Sequence, residues 1–374
     1  MSALPYALRR PVLLARDLVL NRRQPDLAKL RAIDEPERFV WAVLPHAARS
    51  FSACITMLPA RTALTAAVGY LYCRTLDAFE DHEPDGEARV RALGAFADRM
   101  HQDTLAPAAA IQDQVVQDPR DRAHLLLVEK HPLVDQVYAG LAAPHRELVG
   151  EVVGDMAGSM RWSARAFHGQ GGVLEDGEQL SRYCHGVMGQ PVRFALQLSL
   201  KQPLSPEQEQ DALAVGEYVQ LANITRDVEK DLARGVAYRP ELRGDLGGDP
   251  ARPEGAARVL AAREALLGRA LELAPRYRRL IANLPFPGVS FARSSAVLMQ
   301  LFTDRFYSGC AERMGLAPWR RPVGGMRLIF RAFPAFLSRK AAGRTLEGIE
   351  RDLRRAAAGL GAAARVRDDA AATG

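Results

Sequence analysis

The segment Gly69–Asp85 reads G-Y-L-Y-C-R-T-L-D-A-F-E-D-H-E-P-D. Its aspartates Asp77 and Asp81 are four residues apart, so on a helix both carboxylates project from one face, about 40° apart. Tyr70 and Arg74 precede them on the same stripe, which is about 60° wide. The opposite face is apolar. The spacing therefore predicts a helix that buries one face and presents a charged stripe on the other.

A second segment, Gln220–Asp231, repeats this pattern as Q-L-A-N-I-T-R-D-V-E-K-D. Asp227 and Asp231 are one helical turn apart, and Asn223 precedes them by one turn. A solvated helix face is the ordinary explanation for such a pair. Each pair, however, lies in an otherwise apolar segment with an arginine nearby, here Arg226. We predict that the four carboxylates face one cavity and hold Mg²⁺, because oxygen-only ligands favour a hard divalent cation.

Helical spacing dominates the rest of the chain. Ala, Leu, Arg and Glu are frequent, while the alternation typical of strands is almost absent. Helices are predicted near 36–45, 48–57, 61–81, 86–101, 121–129, 145–167, 178–199, 206–234, 254–282, 289–314, 323–336 and 344–360. No repeat period is visible. We predict one all-α domain at 36–340, a helical bundle, between an N-terminal extension (1–35) and a C-terminal segment (341–374). That segment is predicted to hold an amphipathic helix and a disordered tail.

Charge is unevenly distributed. Residues 1–250 carry 28 basic and 34 acidic side chains, whereas residues 251–374 carry 22 and 10. A hydrophobic content of 48% with 25% charged residues excludes wholesale disorder. No apolar stretch is long enough for a transmembrane helix, and arginines interrupt any signal-peptide core near the N-terminus. Four dispersed cysteines fit a reducing compartment. We expect a cytoplasmic protein.

Other function classes find little support. The basic residues of 251–374 lie on Ala/Leu-rich helices without interleaved aromatics, so no nucleic-acid partner is predicted. No G-x-S-x-G segment, P-loop or His/Cys metal cluster is visible. The amphipathic segment Arg344–Leu360 suits a helix on an anionic bilayer or one packed on the bundle. Peripheral membrane contact is thus an alternative, and the oligomeric state is not readable from the sequence.

Together these motifs resemble those of the squalene/phytoene synthase family, the head-to-head prenyl synthases of the all-α isoprenoid-synthase fold with a central cavity. The match runs from about Phe39 to about Phe333. The two aspartate-rich motifs occur in family order with three further segments: Arg49-Ser50-Phe51, Tyr183-Cys184-His185 with Val187 and Gly189, and Gly235-x-x-Tyr238-x-Pro240-Glu241.

The resemblance implies Mg²⁺-dependent condensation of two prenyl diphosphates. Because L-D-A-F-E-D is closer to the squalene synthase branch, the expected reaction joins two farnesyl diphosphates through presqualene diphosphate to squalene, with NADPH as reductant. Alternatives are a phytoene or dehydrosqualene synthase, which uses no reductant, and a presqualene diphosphate synthase. A non-catalytic assembly or interaction protein of the same fold is the alternative from another class.

The resemblance also implies roles for individual residues. The expected metal ligands are Asp77, Asp81, Asp227 and Asp231. The residues expected to bind the diphosphates are Arg49, Ser50, Phe51, Arg74, Gln220, Asn223 and Arg226. The catalytic candidates are Tyr70, Arg74, Tyr183 and, as a loose match, Phe291. NADPH contacts are expected at Arg320, Arg321 and Arg327.

One segment departs from the family pattern. Positions after Tyr183-Cys184 that are apolar or glycine in the family are here Met188, Gln190 and Pro191. Pro191 removes a backbone hydrogen bond, so we expect a kink in the helix predicted over 178–199. In the family this segment lines the cavity, and product identity therefore depends on it.

Overall fold

Helices form nearly all the regular structure of the computed structural model, which describes residues 5–83, 85–102, 111, 116, 118–200, 202–248, 253–314 and 323–372. In chain order the helices are α1 (Tyr6–Leu20), α2 (Leu27–Arg31), α3 (Pro36–Ala48), α4 (Ser50–Met57), α5 (Ala60–His82), α6 (Gly86–Asp98), α7 (Pro119–Glu129), α8 (His131–Ala139), α9 (Ala143–Gly169), α10 (Gly177–Cys184), α11 (Gln190–Leu200), α12 (Pro206–Ala233), α13 (Pro253–Asn283), α14 (Phe291–Arg313), α15 (Gly325–Ala332), α16 (Pro334–Leu337) and α17 (Arg339–Ala372). Within these described ranges the β structure is limited to a parallel bridge between Val173 and Ala237. The predicted all-α class is confirmed.

Most predicted helices are present, and the differences have local causes. The sequence pattern did not predict α1, α2 or α8. The single predicted helix over 178–199 is divided into α10, a π-helical turn at His185–Gly189, and α11. Pro191 stands in the first turn of α11, where its missing N–H is tolerated, so the irregularity expected at Pro191 falls in the turn before it. The Ala-rich sequence predicted as a disordered tail continues α17 to Ala372, in keeping with the high helix propensity of alanine.

The chain divides into two compact units. The first unit comprises Met1–Arg165 and Gln190–Ser205, and the second comprises Ala166–Gly189 and Pro206–Gly374. The first aspartate-rich motif lies in the first unit and the second motif in the second unit. The domain boundaries expected at residues 35 and 340 remain predictions.

In the first unit, α5 is the central element and packs against α3, α4, α7 and α11. The face of α5 opposite the charged stripe is fully buried, through Tyr72, Leu76 and Phe79. A Cβ built on Gly69 would lie 2.8 Å from the ring of Phe194 on α11. Close packing on this side therefore fixes the rotation of α5, and with it the direction of the stripe.

In the second unit, α12 packs against α13, α14 and the π-helical turn. Helix α17 lies against α13 and α14, and its apolar residues Leu346, Ile349 and Leu353 are buried. This contact agrees with the packed alternative for the predicted amphipathic helix. In the part of the chain that the structure describes, no helix is both long and apolar enough to span a bilayer.

Candidate active site

The first aspartate-rich motif forms the stripe that its spacing predicts. Tyr70, Arg74 and Asp77 are half-buried on one face of α5, and Asp81 is exposed one turn further on. An Arg74 guanidinium nitrogen lies 3.1 Å from the nearer Asp77 carboxylate oxygen. The helix thus presents two carboxylates with a cation already placed beside them.

Burial and, to a smaller extent, neighbouring acidic groups shape the electrostatics of this stripe. Burial raises the pKa of the Asp77 carboxyl to about 6, with Arg74 opposing the shift and Asp81 adding to it. Burial and the charges of Asp81 and Asp77 likewise raise the pKa of Glu80 to about 8. Such a cluster is more stable when a cation neutralises it. The donors are all oxygen atoms, which is the ligand set that Mg²⁺ prefers.

Glu80 is a member of this site that the sequence analysis missed. It lies three residues after Asp77 and one before Asp81, which places it about 60° from Asp77 around the helix. The Ser163 hydroxyl donates a hydrogen bond to its carboxylate at 3.3 Å. The same angular argument that paired the aspartates could have included Glu80.

A strained turn carries the predicted diphosphate-binding residues Arg49, Ser50 and Phe51. Arg49 alone separates α3 from α4, and its φ of 50° and ψ of −117° fall in a region that favours glycine. Its carbonyl accepts the Ser52 hydroxyl at 2.7 Å. The Phe51 ring lies 5.9 Å from the Tyr70 ring, centroid to centroid. Within the first unit, the structure therefore brings this segment to the charged stripe of α5.

The second aspartate-rich motif forms a comparable stripe on α12. Gln220, Asn223, Asp227 and Asp231 are half-buried along one side, and the residues between them are largely buried. The Arg226 guanidinium donates a hydrogen bond to Asp227 at 2.8 Å. The Asn223 amide donates to Gln220 at 3.2 Å. Carboxylate and amide oxygens thus follow one another along the helix, as the spacing predicts.

Tyr183 lies in an aromatic cluster of the second unit. The Tyr238 hydroxyl lies 3.2 Å from the Tyr183 hydroxyl, and the Phe167 ring packs edge-on against both tyrosines. The loop that carries Tyr238 is positioned by the bridge between Val173 and Ala237. There the Ala237 N–H donates to the Gly172 carbonyl at 2.8 Å. Tyr183 is buried, with 6% of its surface exposed. Tyr238, noted only as part of a loop motif, is therefore a direct partner of Tyr183.

An ionic network around the buried Glu217 holds the π-helical turn to its neighbours in the second unit. Glu217 on α12 accepts hydrogen bonds from Arg269 on α13 and, at 3.1 Å, pairs with His185. Arg269 also donates to the Ser181 hydroxyl. Burial opposes ionisation of Glu217, but the hydrogen bonds from His185 and Arg269 outweigh it and lower the pKa of this carboxyl. Sequence reasoning missed Glu217 because its partners are far away in the chain.

The remaining predicted site residues belong to other segments of the chain. Phe291 begins α14, and its ring stacks on Phe336 with centroids 4.2 Å apart. Arg327 is exposed on α15. Arg320 and Arg321 lie outside the described residues.

The first unit also contains a group of nitrogen and oxygen donors that no sequence motif indicates. His82, Asp121 and His124 of the first unit have ligand atoms within 4.8 Å of one another. The separation of α5 from α7 in sequence hides this grouping. Imidazole donors suit transition metals rather than Mg²⁺, so this group is not part of the oxygen-only stripe.

Comparison with known proteins agrees with these motifs. The family model for squalene/phytoene synthase matches residues 44–324. Squalene synthase LSS of Botryococcus braunii is 24% identical over 234 residues, covering 59% of this chain and 48% of the relative. A bifunctional lycopene cyclase/phytoene synthase of Pyrenophora tritici-repentis is 25% identical over 297 residues, covering 75% and 47%. The chain spans about half the length of the curated relatives it matches.

The fold is shared as well. A solved structure of TcSQS with the ligand BPH1237 aligns with a TM-score of 0.66 at 18% identity, covering 87% of this chain and 100% of that one. The chain belongs to the squalene/phytoene synthase family. Members of this family are prenyltransferases.

Proposed function

We propose that this protein catalyses the Mg²⁺-dependent head-to-head condensation of two farnesyl diphosphates to squalene, through presqualene diphosphate, with NADPH as reductant. The observation that carries the proposal is the pair of aspartate stripes on α5 and α12, each with an arginine beside its first aspartate. Two such stripes suit a reaction in which two diphosphate groups depart.

Arginines and aspartates would act on the departing diphosphates. Arg49, Arg74 and Arg226 would bind diphosphate oxygens and stabilise the negative charge that develops as each carbon–oxygen bond breaks. The aspartates of both stripes would hold Mg²⁺, which when bound supplies Lewis-acid stabilisation of the same oxygens. Ser50 and the amides of Gln220 and Asn223 would add hydrogen bonds that orient the diphosphates.

Aromatic residues would stabilise the carbocation and accept the proton that leaves it. The rings of Phe51, Tyr70 and Tyr183 can stabilise positive charge by cation–π contact. After one farnesyl diphosphate ionises, the double bond of the second attacks, and a proton must leave to close the cyclopropane ring. The phenol oxygen of Tyr70 or Tyr183 is the proposed proton acceptor. Phe291 is proposed as a further contact of the cation, and Arg320, Arg321 and Arg327 as contacts of the NADPH phosphates.

A phytoene or dehydrosqualene synthase is the second candidate. It is favoured by the relative from Pyrenophora tritici-repentis, a bifunctional lycopene cyclase/phytoene synthase that aligns with 75% of this chain. In that reaction the final cation loses a proton and takes no hydride. A presqualene diphosphate synthase would stop one ionisation earlier.

Product identification separates these candidates. The full chain is incubated with farnesyl or geranylgeranyl diphosphate and Mg²⁺, with and without NADPH, and products are identified by gas chromatography and mass spectrometry after phosphatase treatment. The proposal predicts squalene from farnesyl diphosphate only when NADPH is present. Dehydrosqualene or phytoene without NADPH would establish the second candidate, and absence of any condensation product would refute both. Asp77→Asn, purified in parallel, controls for contaminating synthases.

A further inference from the structure

The outer side of α15 and α16 carries a stripe of large apolar side chains. The exposed fractions are 42% for Met326, 70% for Phe330, 52% for Phe333 and 61% for Leu337. Their spacing of four, three and four residues places all four on one side of a nearly continuous helical segment. We call this set the α15–α16 stripe. Single exposed apolar residues are common on protein surfaces, but an aligned set of this size indicates an interaction surface.

The stripe stands on a rigid base. Arg293 on α14 is 1% exposed, and its guanidinium donates to the main-chain carbonyls of Ala335 at 2.7 Å and Phe336 at 3.1 Å. The Ser294 hydroxyl donates to the carbonyl of Ala332 at 2.9 Å. These contacts tie α15 and α16 to α14. The apolar side chains are thus held outward by the fold itself rather than by fraying of short helices.

The segment that carries the stripe is rich in positive charge. From Gly324 to Thr345 the sequence has no acidic residue. Five exposed basic residues lie in that range: Arg327, Arg331, Arg339, Lys340 and Arg344. A surface with apolar side chains flanked by basic ones is typical of helices that lie in the interface of a membrane.

We propose that the α15–α16 stripe docks on a bilayer of anionic phospholipids, with Phe330, Phe333 and Leu337 inserted among the lipids and with Arg331, Arg339, Lys340 and Arg344 against their headgroups. Charge complementarity decides between this occupant and a second copy of the chain. Two stripes brought together would oppose their basic residues with no acidic partner in this range, whereas an anionic headgroup layer attracts each of them. The inference does not rest on the proposed catalytic function, because it concerns only binding to lipid.

The test measures binding of the full chain to vesicles by flotation, with phosphatidylglycerol and phosphatidylcholine mixed at a fixed ratio or with phosphatidylcholine alone. We expect wild-type protein to float with the mixed vesicles and to dissociate as salt is raised. Phe330→Ser with Phe333→Ser should weaken binding by about tenfold or more, because two aromatic side chains no longer enter the lipid. Arg331→Gln with Lys340→Gln should weaken binding to the anionic vesicles by about tenfold.

A matched control removes equally exposed apolar residues elsewhere. Leu8 and Val12 on α1 are 65% and 56% exposed, and Leu8→Ser with Val12→Ser should leave vesicle binding unchanged. Circular dichroism confirms that each variant is folded.

Three results would overturn the proposal. The first is absence of wild-type binding to the anionic vesicles. The second is equal binding of the Phe330/Phe333 variant and the wild type. The third is a wild-type dimer, seen by analytical ultracentrifugation, that this variant converts to a monomer, which would assign the stripe to self-association.

Discussion

Replacement of Arg49 separates backbone strain from side-chain function. A residue other than glycine at a φ of 50° costs about 1–3 kcal/mol, because its Cβ crowds the neighbouring peptide groups. Arg49→Ala keeps that Cβ, whereas Arg49→Gly removes it, and both delete the guanidinium. Glycine in turn loses about 0.5–1 kcal/mol through the entropy of the unfolded chain. The net expectation is that Arg49→Gly is more stable than Arg49→Ala by about 1 kcal/mol.

The assay compares the free energy of unfolding of the two variants by urea titration, followed by circular dichroism. Gln210→Gly and Gln210→Ala serve as controls in an ordinary exposed turn of α12, where alanine should be the more stable by about 1 kcal/mol. Both Arg49 variants should lose diphosphate release alike, because both lack the guanidinium. Equal stability of the two Arg49 variants would refute the strain argument, and normal turnover in both would refute the diphosphate-binding role.

Three further predictions follow from contacts in the second unit. Gly216→Ala would place a Cβ 2.3 Å from the Cα of Gly189 and should lower stability by about 1–3 kcal/mol. Gly268→Ala on α13 would place a Cβ with nothing within 4 Å and should raise stability by up to about 1 kcal/mol. Thermal unfolding measures the direction of both changes. Burial opposes ionisation of Asp211, but two arginines of α13 outweigh it and lower the pKa of this carboxyl. The contribution of Asp211 to stability is therefore complete above its unfolded pKa of about 4 and is lost as pH falls through its folded pKa. The free energies of unfolding of wild type and Asp211→Asn should therefore differ by about 1 kcal/mol at pH 7 and converge as pH falls below the folded pKa. A difference that stays constant with pH would contradict the assignment. Tyr183→Phe should cost about 1 kcal/mol or less in stability while reducing condensation about tenfold or more; unchanged kinetics would exclude its phenol from the reaction.

Helical periodicity explains why so much of the site could be read from the sequence. Asp77 with Asp81, and Asp227 with Asp231, are pairs whose relation depends only on the geometry of one helix. The structure confirms that each pair shares a face. The same geometry would have found Glu80, had every acidic residue of the motif been placed on the helix.

Long-range contacts explain what the sequence could not reveal. Glu217 meets His185 and Arg269 only because three helical segments of the second unit pack together. The close approach of Gly216 to Gly189 is likewise a property of packing, since neither glycine signals its partner. Pro191 indicated an irregular helix, but nothing in the sequence indicated that the irregularity is a π-helical turn.

Backbone strain and the N-terminal helices were hidden for other reasons. Arginine is not a residue that predicts a positive φ, so nothing in the sequence marked Arg49 as strained. Helix α1 contains Pro11 and scattered arginines, which obscure its amphipathic pattern. For α1, packing against α4 overrides the local preference of the residues.

Diphosphate release tests most directly the central claim that both aspartate stripes serve one Mg²⁺-dependent reaction. It is followed by ³¹P NMR with farnesyl diphosphate for wild type, Asp77→Asn, Asp227→Asn and the control Glu207→Gln, an exposed acid in the first turn of α12. We predict release by wild type and Glu207→Gln only when Mg²⁺ is present. Each aspartate variant should be slower by about 100-fold or more, with its circular dichroism unchanged. Normal release by either aspartate variant, or full release by wild type in EDTA, would contradict the account.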